Sequence, residues 1–81
     1  MLKRNYTGYD DINGIGMHEN DIVQYELGVA QKEIVRAPIV LNQGKFCLKN
    51  KQGVCISLIH FRKCGLHVIG NMKENSYLLN D

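Results

Sequence analysis

The chain has no tryptophan, a single proline, and only four tyrosines and two phenylalanines in 81 residues. With so few aromatics, several of them spent in the core, the stacking platform that single-stranded nucleic-acid binders display would be thin. Charge of one sign is lacking too. Ten Lys and Arg stand against eight Asp and Glu, a net charge of +2. Such a balance argues against an acidic nucleic-acid mimic and against a strongly basic binder. Long hydrophobic runs are also missing, and the longest stretch free of Asp, Glu, Lys and Arg is Gln52 to Phe61. A membrane-crossing helix needs about twenty apolar residues, so no membrane span is expected.

Cysteine is scarce and odd in number: Cys47, Cys55 and Cys64 cannot all pair within one chain. Lys3 and Arg4 carry no apolar segment behind them, so a secretory signal is not expected. Both features favour reduced thiols and a cytoplasmic setting. The length leaves room for one domain, residues 1–81. A domain this small buries a modest fraction of its surface, and a homo-oligomer is one way to supply the missing burial.

What is present is frequent punctuation between short β-prone runs. Gly8, Asp10, Asp11, Asn13, Gly14, Gly16 and Asn20 crowd the first twenty-one residues, which reads as a hairpin-like loop ending at Asp21. Asn13-Gly14 suits a type I′ turn. Ile22–Leu27 alternates and is β-branched, and reads as a strand. Glu33–Leu41 is a second strand, which Pro38 makes an edge strand or one bent or bulged at that point. Turn signals at Asn42-Gln43-Gly44 and Asn50–Gly53 flank a third strand, Lys45–Lys49. Val54–Phe61 is ambiguous; Ser57 is placed to cap a short helix over Leu58 to Lys63, ended by a left-handed Gly65. Leu66–Gly70 reads as a last strand, followed by a polar tail in which Tyr77, Leu78 and Leu79 are free to dock. The expected fold is all-β, a small barrel or roll of about five strands, with one short helical turn near 57–63. Its core should draw on Ile22, Val23, Tyr25, Ile34, Val40, Phe46, Leu48, Ile56, Leu58, Val68 and Ile69.

Two segments resemble the motifs of YopX-like proteins. The first is Tyr6-Thr7-Gly8, Asp11-Ile12-Asn13-Gly14 and Met17-His18-Glu19-Asn20-Asp21-Ile22-Val23. The second is Val68-Ile69-Gly70-Asn71-Met72-Lys73-Glu74-Asn75-Ser76-Tyr77-Leu78-Leu79. His18 stands where the family usually has an aromatic residue, Asn20 where it has glycine, and Ser76 where it has proline. The resemblance implies an SH3-like β-roll, a phage or prophage setting and no assigned biochemistry. It also implies that this chain corresponds to the barrel portion alone, without the N-terminal segment of longer members.

Few constellations carry chemistry. Asp21, after a turn and before a strand, suits a structural carboxylate that accepts turn amides, and Glu19 beside it makes only a weak acid–base pair. Cys55, His60, Cys64 and His67 form the one metal-like set, of which only Cys64 and His67 have knuckle-like spacing; no metal or cofactor is expected. No nucleophile elbow, Walker loop or dinucleotide motif occurs, so no catalytic residue is assigned and an enzyme is not expected. Lys45, Lys49 and Lys51 surround one hairpin, and Arg62 and Lys63 lie on the next element. These five are the candidate binding residues, as a solvated basic edge or as phosphate contacts to nucleic acid. The leading expectation is a phage or prophage accessory protein that binds a bacterial host or phage protein, for instance to inhibit a host defence or replication factor. The alternatives are a nucleic-acid-binding barrel and an oligomer that holds a small nucleotide-like ligand.

Overall fold

The computed structural model describes residues 5–61 and 65–79. Seven strands follow one another: β1 (Tyr6–Asp10), β2 (Gly16–His18), β3 (Asp21–Leu27), β4 (Glu33–Asn42), β5 (Lys45–Lys49), β6 (Cys55–Ser57) and β7 (His67–Asn71). β1 and β2 form a two-stranded sheet, and the rest form a five-stranded sheet in the order β6-β5-β4-β3-β7. Every pairing is antiparallel. The protein is a small all-β domain, as the sequence indicates. No helix is long and apolar enough to cross a membrane among the described residues.

The main core joins Met17, Val23, Tyr25, Ala37, Ile39, Leu48, Leu58, Phe61 and Leu66. Tyr25 and Phe61 meet edge to face, with ring centroids 5.1 Å apart. Ile22 and Val23 are adjacent in β3, so they point to opposite faces, yet both are fully buried. Val23 belongs to the main core. Ile22 lies on the second face, where the short helix α1 (Met72–Asn75) packs against β3 and β7.

Ile34 and Ile56 are exposed rather than core, and Val40 is only half-buried. In β4 the cause is parity. Ile34, Val35, Ala37, Ile39 and Val40 offer apolar groups on both faces, and a one-residue choice exchanges them all. In the register with β3 and β5, Arg36 stays in water and Ile34, Pro38 and Val40 share its side, while Val35, Ala37 and Ile39 turn inward. The edge-strand reading of Pro38 is also corrected. β4 lies inside the sheet order and pairs with β3 through residues 33–38, then with β5 through residues 39–42. Pro38, which has no amide hydrogen, sits where one ladder hands over to the other.

The turns differ from expectation in an instructive way. Asn13-Gly14 is not a type I′ turn, because only Gly14 has positive φ (80°). Instead the Gly14 amide donates to the Asp11 carbonyl (3.0 Å), and the Asp11 carboxylate accepts the amides of Asn13 and Ile15, each at 2.8 Å. Asn50 builds the same turn: its carbonyl accepts from the Gly53 amide, and its Oδ1 accepts from Gln52 (3.0 Å) and Val54 (2.9 Å). The two-residue turn with both φ positive lies at Gln43 (51°) and Gly44 (79°), closing the Asn42–Lys45 pair.

The helical turn near 57–63 appears as a 3-10 turn, Leu58–Phe61, whose Ile59 amide donates to Ser57 Oγ at 3.5 Å. The tail holds more structure than its polarity suggests: α1 runs straight into a second 3-10 turn, Ser76–Leu79. Asn71 caps α1 by accepting the Glu74 amide at 2.8 Å, a bond foreshadowed by the Asn-x-x-Glu spacing.

Candidate functional site

The motif residues hold the chain together. Asp11 is 7% exposed, and besides its own turn its Oδ2 accepts the amide of Val68 at 3.0 Å. Burial pushes its pKa up, but the amide bonds from Val68, Ile15 and Asn13 and the nearby His67 outweigh this and hold it below the ordinary value. Asp21, 3% exposed, accepts the His18 amide at 2.9 Å, which is the structural role its place before a strand suggests. Glu19 instead accepts from Asn5 at 2.9 Å, so the adjacent carboxylate is used elsewhere.

The departures from the motif are accommodated. His18 keeps a ring contact with Tyr6, centroids 5.3 Å apart, in place of the usual aromatic. Asn20 adopts φ 73°, the left-handed region that its glycine counterpart would take freely. Ser76 has φ −56°, within the range a proline ring fixes. Within β1, Tyr6 donates to Asp10 at 2.6 Å, and that bond raises the tyrosine pKa.

Cys47 is buried and Cys55 half-buried, both as free thiols, and His60 and His67 are exposed. Among the described residues no three His, Cys, Asp or Glu side chains converge on a metal-sized site. Cys64 lies outside the described residues, as do Arg62 and Lys63.

The basic residues are divided. Lys45 stands at the turn end of β5, opposite Asn42. Lys49 and Lys51 lie at the other end and line a cleft of about 220 Å³ with Arg36, Pro38, Asn50 and Leu79. The β4–β5 register, continued by one pair, sets Lys49 opposite Pro38, and Arg36 shares the face of Pro38. Arg36 donates through Nε to Gln24 at 3.0 Å, its cross-strand neighbour, which fixes the guanidinium plane. The two hydrogen bonds that Asn50 Oδ1 accepts from the Gln52 and Val54 amides fix the turn that carries Lys51 and directly follows Lys49. Among the described residues, no carboxylate lines this cleft. Sequence reasoning missed Arg36, because it lies thirteen residues from Lys49 and only the register brings them together. Its parity with Pro38 was the available signal.

A larger cleft of about 430 Å³ opens between the β1–β2 turn and the core, where Tyr9, Asp10 and Ile12 face Met17, Phe61 and Leu66. The distal half of the β3–β4 hairpin forms a third feature. Residues 26–34 are all exposed, and they include Leu27, Val29 (95% exposed) and Ile34 (60%). A Lys32–Glu26 pair at 3.7 Å spans this arm.

No curated protein and no solved structure matches the chain. A family model described as YopX protein matches residues 2–80. Both motif segments lie inside that match, and their residues make the Asp11, Asp21 and Asn71 bonds that join hairpin, sheet and helix. The chain belongs to the YopX family.

Proposed function

We propose that this protein works by binding, without catalysis, and that its target is a bacterial host or phage protein. The observation that carries this reading is the β3–β4 arm. Nine consecutive residues, 26–34, are exposed on it, and three of them are large and apolar. Water-exposed apolar side chains gathered on one protruding element are a common mark of a protein interface. A phage or prophage setting, which the resemblance to YopX-like proteins implies, is part of this proposal; there such a small protein would act on a host defence or replication factor. The test is capture from the bacterial host on immobilised protein, with Val29→Asp/Ile34→Lys as comparison. A host or phage protein retained by the native chain and lost from the variant is the expected result. Equal retention by both would rule out the arm, and no retained protein would count against the reading itself.

The basic cleft favours a second reading, nucleic-acid binding along the Lys49–Lys51 edge. Phosphate contacts release counterions, so binding would weaken steeply with salt. Gel shifts with single- and double-stranded DNA and RNA check it; absent or salt-independent shifts remove it.

A further inference from the structure

The cleft between β4 and the end of β5 suits a small dianion better than a long strand. Two chain segments bring three cations to one space of about 220 Å³, and none of the described lining residues is acidic. Gln24 holds the Arg36 guanidinium through Nε, and the Asn50 side chain holds the backbone turn that contains Lys51, so part of the site is set before a ligand arrives. Pro38 and Leu79 add an apolar wall. A carboxylate or a phosphodiester brings one negative charge, whereas a phosphate monoester brings nearly two at neutral pH and three strong acceptor oxygens. A guanidinium fork beside ammonium groups matches that demand in charge and in geometry.

We propose that this cleft binds the phosphate monoester of a nucleotide, with Arg36 and Lys49 on the phosphate, Lys51 at its rim, and the sugar against Pro38 and Leu79. The site narrows the nucleic-acid reading to a terminal or free phosphate, and it does not depend on the arm.

Amide chemical-shift mapping on the full chain tests it with uridine 5′-monophosphate, a 5′-phosphorylated oligothymidylate and the same strand without its phosphate. Shifts at Arg36, Lys49, Asn50, Lys51 and Leu79 with either phosphorylated probe are expected. Response to the mononucleotide assigns a free nucleotide; response to the phosphorylated strand alone assigns a strand end. Lys49→Gln should raise the dissociation constant about five- to tenfold. Arg36→Lys, which keeps the charge but loses the fork, should weaken binding less than Arg36→Gln, and Lys45→Gln should leave it unchanged. Affinity should fall as pH drops through about 6, where the monoester dianion takes up one proton and becomes a monoanion. Equal binding of the unphosphorylated strand overturns the proposal while leaving nucleic-acid binding in place. No shift at these amides with either phosphorylated probe overturns it outright.

Discussion

At Asp11 a single carboxylate accepts amide hydrogens from Asn13, Ile15 and Val68, and so pins the first hairpin to the last strand, 57 residues away. Removing it leaves three amides without that partner in a poorly hydrated place. Asp11→Ala should therefore cost roughly 2–3 kcal/mol in urea unfolding. Asn50 builds the same turn with a neutral amide, so Asp11→Asn should keep the turn, lose the Val68 bond and cost less. The pH dependence follows from the sign of the shift. The folded pKa of Asp11 lies below its ordinary 3.8, so its contribution is complete above that value and is lost as pH falls through the lower folded one. Acid titration of stability should show this loss in the native chain and a flatter profile in Asp11→Asn. Gly70 is constrained by closeness, not by φ. A β-carbon there would stand 2.7 Å from Asn75 Oδ1 and 2.8 Å from its Cβ. Asn75 also accepts the Asn71 amide at 3.2 Å, so Gly70→Ala should displace the start of α1 and cost about 1–3 kcal/mol. A thermal melt unchanged by this substitution would contradict the packing described.

Strands and turns show where local rules suffice and where they do not. The Gln43-Gly44 turn places a non-glycine residue in the left-handed region, which costs an ordinary side chain about 1–2 kcal/mol. Asn tolerates that region better, so Gln43→Asn should stabilise the fold by roughly 0.5–1 kcal/mol, read from the urea midpoint. Strand existence was largely legible: Ile22–Leu27, Lys45–Lys49 and the run before Gly70 all lie in strands, and the left-handed Gly65 (φ 65°) was also foreseen. Strand face was not. β4 carries apolar residues on both parities, and only its neighbours β3 and β5 determine which set turns inward. β7 adds a further uncertainty, since its register against β3 passes from Ile22–Gly70 to Val23–Val68 and leaves Ile69 as a bulge. A bulge alters the alternation beyond it, which is why Ile69 is half-buried where regular alternation implies core.

For the molecule as a whole, the core ends at Tyr25 and Val35, and the arm beyond it is wetted on both faces. Ile34 is already 60% exposed, so Ile34→Lys should leave the melting temperature nearly unchanged, within about 0.5 kcal/mol. The same substitution should reduce association with a partner, or between copies of the chain, measured by light scattering. Loss of stability without loss of association would mean that the arm serves the fold. The two candidate surfaces also separate by salt. Binding through the arm should change little with ionic strength, and binding through Arg36, Lys49 and Lys51 should weaken as salt rises.

The sequence by itself determined the all-β class, the positions of most turns, the structural role of Asp21 and the family relationship. Each rests on local chemistry or on an ordered motif, which a linear reading can detect. The tertiary structure decided the inward face of β4, the identity of Met17, Ala37, Ile39, Phe61 and Leu66 as core, and the meeting of Arg36 with Lys49 and Lys51. Those outcomes depend on strand register and on which element covers which face. Register is a relation between distant segments, fixed when Pro38 passes β4 from one partner to the other and when Asp11 reaches Val68.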